Sequence, residues 1–398
     1  MSSLNATVSA ERPHIAFFGR RNAGKSSVVN AVTNQRISVV SDTLGTTTDP
    51  VKKAMELLPL GPVVIIDTPG FDDEGALGAL RVERTREVLR QTDIAVLVVD
   101  SAVGLTAADQ ALLDEFISRK LPYLIVMNKR DLMTSSPQED DRTVYVSAVT
   151  GEGIGALKER LAVLVKSDQR EKQIVADLVK KGDTVILVIP IDESAPKGRI
   201  ILPQQQTLRE LLDHHCAVIC CQPDELKATL GKLSVKPGLV ITDSQAFKRV
   251  ASDTPGDIPM TSFSILFARY KGNLDGLIRG AEALKSLRDG DRVLISEGCT
   301  HHRQCGDIGT VKLPNWIREY TGAEAEFDFT SGGTFPDDLS AYRLIVHCGG
   351  CMLNEKEMQH RQRAAHKADI PMVNYGIAIA AMNGILDRAL AAVKNHEG

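Results

Sequence analysis

Short apolar runs that end in glycine-, asparagine- or cysteine-bearing turns, most of them followed by a helical pattern, predict an α/β fold. Two further observations shape that expectation. A glycine-rich phosphate loop follows the first apolar run, and two thiol-bearing turns follow apolar runs in the last third of the 398 residues. The length suits two or three domains. The expectation is three consecutive α/β domains, the first a P-loop GTPase fold. A loose tail over 1–13 precedes a nucleotide-binding domain at 14–166, a middle domain at 174–262 and a thiol-bearing domain at 263–398. The charged stretch Lys166 to Lys172 reads as a linker.

Ile15 to Phe18 is strand-like and Ser27 to Val32 is helical. Between them lies Gly19-Arg-Arg-Asn-Ala-Gly24-Lys25-Ser26, the G-x-x-x-x-G-K-S pattern in its required strand–loop–helix setting. Amides along Asn22, Ala23, Gly24, Lys25, Ser26 and Ser27 are placed to hold phosphates, helped by the helix N-terminus. Lys25 reaches the β and γ groups and Ser26 ligates Mg2+. Val63 to Ile66 form the next strand and end at Asp67-Thr-Pro-Gly70. There Asp67 holds Mg2+ through water and the Gly70 amide meets the γ-phosphate; Lys25 and Gly70 are expected catalytic residues. Asn128-Lys129-Arg-Asp131 reads the base. Asp131 accepts two hydrogen bonds from guanine N1 and N2, which adenine cannot supply, so the nucleotide is GTP. Ser147-Ala148, after the strand Val144 to Val146, supplies the contact to guanine O6. A helix over Gly155 to Val165 closes the domain.

The middle domain alternates strand Asp183 to Ile191, helix Thr207 to His215, strand Ala217 to Cys221, strand Gly238 to Thr242 and helix Ser244 to Ala251. It has no phosphate loop and no paired carboxylates. Cys216, Cys220 and Cys221 read as core thiols. In the third domain, helix Leu274 to Leu287 and strand Arg292 to Ser296 lead to Cys299-Thr-His301. A helical stretch over Pro314 to Tyr320 and a strand over Ala323 to Phe329 follow. The apolar run Tyr342 to Val346 reads as a buried strand, with the strand itself at Leu344 to His347, and leads into His347-Cys348-Gly-Gly-Cys351. Helix Glu355 to Ala368 and strand Ile370 to Val373 precede a final helix, Ile377 to Lys394, with Asn374 as its N-cap. The strand ends at Cys299, Cys348 and Asn374 are expected to converge on one face, where open α/β sheets hold ligands.

Thiolates select soft metals. The C-x-x-C spacing lets two sulfurs face one metal or cluster, and Gly349 and Gly350 let amides approach them. Cys299, Cys348 and Cys351 are the expected ligands, with His301 and His347 as candidate further ones. Spacing alone does not separate zinc in a Cys3His site from a [4Fe-4S] cluster held by three thiolates. His302 and Cys305 lie beside the first turn.

Net charge is -4 and aromatics are 4%. No basic run interleaves with aromatics, which argues against a nucleic-acid partner. Apolar runs are too short for a membrane span. The first 14 residues are polar, and seven scattered cysteines suit a reducing cytoplasm.

The nucleotide half resembles the TrmE/Era-like GTPases of tRNA modification and ribosome assembly. Three details resemble their potassium-dependent members. Asn22 stands where those proteins ligate K+. Gly45-Thr46-Thr47-Thr-Asp49 resembles their first switch, which implies Thr46 at the nucleotide and Thr47 on Mg2+ as a third catalytic residue beside Lys25 and Gly70. Phe71 stands where Ras-like proteins carry a water-orienting Gln, so slow, potassium-assisted hydrolysis is implied. The whole chain resembles the [FeFe]-hydrogenase maturation GTPases. That resemblance implies a [4Fe-4S] cluster on Cys299, Cys348 and Cys351, and a middle domain that makes a homodimer. It implies a scaffold that carries a di-iron precursor, with radical-SAM maturases and apo-[FeFe]-hydrogenase as partners. A ribosome- or tRNA-associated GTPase with a structural zinc is the competing reading.

Overall fold

The computed structural model describes residues 12–35, 50–70, 84–133, 140–168, 173–191, 200–271, 274–298, 308–350 and 353–394. The switch residues Thr46 and Thr47, together with Phe71, Cys299, His301, His302, Cys305 and Cys351, lie outside them. The chain divides into two compact units, 1–170 and 171–398.

The first unit is built on a six-stranded sheet of order β2-β3-β1-β4-β5-β6. Its strands are β1 (His14–Gly19), β2 (Val51–Leu57), β3 (Gly61–Asp67), β4 (Ile94–Asp100), β5 (Tyr123–Asn128) and β6 (Thr143–Tyr145). Only β2 runs antiparallel, against β3. The central strands are nearly continuous apolar runs because helices cover both faces. Alternate residues serve opposite layers, as a period of two requires. Ile15, Phe17, Ile65, Val96 and Val98 pack with the helices Lys25–Thr33 and Ile154–Asp168. Ala16, Phe18, Ile66 and Leu97 pack on the other side against Phe116 of the helix Ala107–Ser118. β2 went unread in the sequence because Lys52, Lys53 and Glu56 keep its outer side polar.

The second unit holds two four-stranded sheets, β10-β9-β7-β8 and β12-β11-β13-β14. The first comprises β7 (Thr184–Val188), β8 (Ala217–Cys221), β9 (Leu239–Thr242) and β10 (Met260–Ser262). The second comprises β11 (Arg292–Glu297), β12 (Glu326–Ser331), β13 (Leu344–His347) and β14 (Met372–Asn374). Every pairing in both is parallel. One continuous apolar core runs from Val185 and Ile241 through Leu266 to Ile295, Val346 and Ile377. The sequence reading divides this unit at 262/263; physically, the two sheets share one core through the helix Phe263–Tyr270.

Two expectations are corrected. Cys220 is exposed and Cys221 half-buried, because β8 is an edge strand; only Cys216 is buried. The final helix is two, Tyr375–Met382 and Leu386–Lys394, broken where Gly384 takes a left-handed φ of 69°. Among the described residues no helix is long and apolar enough to cross a membrane.

Candidate functional site: a phosphate loop and a cysteine turn

In the first unit, β1 delivers the phosphate loop to the N-terminus of the helix Lys25–Thr33, whose N-cap Gly24 offers no side chain to the first-turn amides. Asn22 and Gly24 both take left-handed backbone, φ 63° and 80°. A Cβ on Gly24 would strike the Asn128 amide, so the loop's path requires glycine there. Lys25, only 8% exposed, is ion-paired with Asp67, and Ser26 Oγ donates to Asp67 Oδ2 at 3.0 Å. The groups expected to meet γ-phosphate and Mg2+ are therefore already neighbours. Gly70 ends the Asp67 turn against Arg21, whose Cγ and backbone N would lie 2.8 and 3.2 Å from a Cβ placed there.

Asn128 ties the base-reading loop to the phosphate loop. Its amide donates to Ala23 O at 3.0 Å, and its Oδ1 accepts from the Ala148 amide at 3.1 Å. Lys129 adopts a left-handed turn and pairs with Asp100 at 2.6 Å. Burial pushes the Asp100 carboxyl up, but hydrogen bonds from Lys129 and the Ala102 amide, with the Lys129 charge, outweigh it and leave it below its ordinary value. Asp131 is exposed at the start of its short turn, open to a base. Ser147 is fully buried, and its Oγ accepts from the Thr150 amide at 3.1 Å. Ser27 lies in the first turn of the phosphate-loop helix.

In the second unit, the carboxyl ends of β11, β13 and β14 lie side by side: Ser296 is level with His347, and His347 with Asn374. Asn374 caps its helix through the Ile377 amide at 2.7 Å. Cys348 leaves β13 with its amide still bonded to Ser296 O at 2.9 Å. Its Sγ accepts two backbone N–H bonds, from Gly298 at 3.0 Å and Gly350 at 3.3 Å. Gly350 sits at φ 60°, and a Cβ there would meet Met358 Sδ at 2.6 Å. Amides aimed at sulfur favour the thiolate over the thiol, as a metal-ligand cysteine needs. The donor chemistry of Cys348 thus fits a soft metal or cluster. Among the described residues no three His, Cys, Asp or Glu side chains gather as a metal site.

His347 is fully buried, and its ring is spoken for on both sides. Arg361 can only donate, so its 3.1 Å contact makes His347 Nε2 an acceptor. Nδ1 then carries the proton and donates to Cys348 O at 2.7 Å. Burial, with the Arg361 and Lys271 charges, pushes the imidazole down to about 3. In this arrangement His347 supports the cysteine backbone and offers no lone pair to a metal.

Two cations behind the turn escaped sequence reading. Arg361 is fully buried. It bonds Glu357 at 2.9 Å, Gly332 O at 2.8 Å and Ser296 Oγ at 3.3 Å, and lies 5.1 Å from the Phe335 ring. Its signal is position: it shares the inner face of the helix Glu355–Lys367 with Met358 and Ala365. Lys271 is buried and donates to Gly350 O and Leu353 O; nothing local marks it.

Fold and loop geometry define the first unit as a P-loop GTPase, and residues 14–129 match the family described as 50S ribosome-binding GTPase. The unit hydrolyses GTP. Residues 174–272 match the hydrogen maturase F dimerization domain, and 275–392 match the hydrogen maturase F tetramerization domain. The chain belongs to the hydrogen maturase F family, and its second unit carries that family's dimerization and tetramerization domains.

Curated relatives cover the GTPase part. The tRNA modification GTPase MnmE of Nitrosospira multiformis is 35% identical over 158 residues, 38% of this chain and 34% of that protein. The Laribacter hongkongensis MnmE is 37% identical over 156 residues, 38% of this chain and 34% of that protein. The chain spans about a third of the length of the curated relatives it matches. Among solved structures, Aquifex aeolicus Era bound to GDP·AlF4− is 18% identical, with a TM-score of 0.35 over 62% of this chain and 100% of that one.

Proposed function

We propose that this chain is a GTP-hydrolysing scaffold that holds a [4Fe-4S] cluster on Cys299, Cys348 and Cys351. It assembles a di-iron subcluster and passes it to apo-[FeFe]-hydrogenase, working as a homodimer with radical-SAM maturases in the cytoplasm. The observation that carries this reading is the Cys348 sulfur, held by two backbone amides at the carboxyl end of β13 within a hydrogen maturase F domain. When bound, the cluster supplies an iron with an exchangeable position for an incoming group.

The chain's own residues do the rest. The turn 348–350 presents its thiolate on the face where three parallel strands end, next to the Asn374 helix start. His347 and Arg361 hold that turn from behind without spending a donor on the metal. In the first unit, bound GTP draws Lys25 away from Asp67 to the β and γ phosphates. Asp67 and Ser26 then serve Mg2+, with Thr47 completing its ligands and Thr46 beside the nucleotide. Asp131 and the Ala148 amide select guanine. Phe71 cannot orient water, so turnover is slow and K+ at Asn22 assists it. A slow GTPase times partner exchange rather than driving turnover.

The test is anaerobic reconstitution with iron and sulfide, followed by metal analysis and EPR of the reduced protein. About four irons per chain with a reduced [4Fe-4S] signal, abolished by Cys299→Ala, supports the scaffold. One tightly held zinc without that signal sinks it in favour of a ribosome- or tRNA-associated GTPase with a structural zinc.

A further inference from the structure

We propose that a cavity between the helices Leu274–Leu284 and Glu355–Lys367 binds a small zwitterion of the amino-acid type. It lies wholly within the second unit and shares no residue with the cysteine turn. The cavity measures about 240 Å3 and sits where Pro371 and Met372 enter β14. That is the amino end of the strand, whereas Cys348 follows the carboxyl end of β13. Gly280 lets the first helix lie against β14, since a Cβ there would strike Met372 O. Leu277, Ala365 and Ile370 give the cavity apolar wall. Its volume falls below the range usual for cofactors and suits a molecule of amino-acid size.

Arg279, Gln362, His366 and Asp369 also line it. None of these four makes a side-chain hydrogen bond or ion pair among the described residues. Gln362 carries the argument. It is only 9% exposed, and a buried amide without a partner is costly. A molecule that both donates and accepts would satisfy it. The charges are divided across the cavity. Arg279 belongs to the helix Leu274–Leu284, whose first turn reaches the cavity at Gly276 and Leu277. An N-terminal turn carries partial positive charge. Asp369 follows the helix Glu355–Lys367 in a left-handed turn, φ 56°, and His366 stands in the last turn of that helix. A C-terminal turn carries partial negative charge. Asp275 and Lys367 share these end turns but are not on the cavity wall. A carboxylate therefore finds Arg279 and a positive helix end, and an ammonium finds Asp369 and a negative one. A phosphate or a simple carboxylate would leave Asp369 facing its charge.

Isothermal titration calorimetry on the full-length chain tests the site, with glycine, leucine, phenylalanine and glutamate as probes in turn. At least one should bind with a Kd below about 1 mM. The matching amine and the matching carboxylic acid, each lacking one of the two charges, should bind about tenfold or more weakly. Asp369→Asn keeps the left-handed turn, which Asn tolerates, and Arg279→Gln alters an exposed helix position. Each should weaken the amino acid about tenfold or more. Asp369→Asn should leave the acid's affinity unchanged, and Arg279→Gln the amine's. Trp316 fluorescence checks that each variant is folded. No heat from any of the four probes at about 10 mM overturns the proposal. So does equal affinity in both variants and the unaltered chain, or tighter binding of inorganic phosphate than of any amino acid. A change of oligomeric state in Arg279→Gln without an effect on ligand makes this face a contact between copies, and overturns it as well.

Discussion

Replacing Arg361 by methionine removes a cation that is fully enclosed. Methionine refills much of the aliphatic stem, so the cavity left behind is small. The cost comes from the groups abandoned. Glu357, 3% exposed and bonded to Arg361 at 2.9 Å, becomes a buried carboxylate without its cation. Breaking such a pair from one side costs about 3–5 kcal/mol. His347 Nε2 and Gly332 O also lose a donor, at 3.1 and 2.8 Å, each worth about 1 kcal/mol or more when left buried. These terms overlap, and a loss of about 4 kcal/mol is the expected total. The chain's single tryptophan, Trp316, lies in the second unit, so its fluorescence in a guanidinium titration follows that unit. Glu357→Gln/Arg361→Met removes the stranded charge as well and should recover about 2 kcal/mol or more of the loss. A cost below about 1 kcal/mol for Arg361→Met, or a double variant as unstable as the sum of the singles, would refute the reasoning.

The remaining predictions separate the two halves of the chain. Lys25→Ala should cut GTP turnover by about a hundredfold or more and leave iron content unchanged, whereas Cys348→Ala should lose iron and keep the GTPase rate. Either variant losing both properties while folded would show that the sites are not independent. Turnover should be faster in KCl than in NaCl at equal ionic strength; equal rates would remove Asn22 from a potassium site. Stability should also report on His14. Its ring donates to Arg12 O at 2.8 Å, while Asp93 accepts from its backbone amide, and burial pushes the imidazole down to about 4. The unfolded chain therefore binds the proton more readily, so this contribution is complete above pH ~6.5 and is lost as pH falls to ~4. His14→Gln should flatten that stretch of a thermal-melt series, and an unchanged slope would count against the buried neutral ring.

What could be read before folding was what depends on contiguous residues. The phosphate loop, Asp67-Thr-Pro-Gly70 and Asn128-Lys129-Arg-Asp131 are legible because their chemistry resides in one strand end and the backbone that follows it. Their parallel strands were legible as unbroken apolar runs. β2 was not, because an edge strand with one wet side leaves no such run. Cys220 was misplaced for a related reason: a run such as Ala217 to Cys221 shows that a strand forms, not whether it lies at a sheet's edge. The break at Gly384 hid within a pattern that is apolar on both sides.

The cysteine turn divides along the same line. Sequence alone determined that a thiol pair follows a buried strand and that glycines let the backbone approach sulfur. It named His347 as a candidate ligand, since an imidazole next to a cysteine looks the same whether it faces a metal or the core. Tertiary structure set its surroundings, by bringing Arg361 from 14 residues away onto Nε2 and leaving Nδ1 to the backbone. It also carried Lys271 across 79 residues to the carbonyls of the turn. Buried charges are placed by what surrounds them in space, and the pairing that makes their burial tolerable has no period in the sequence.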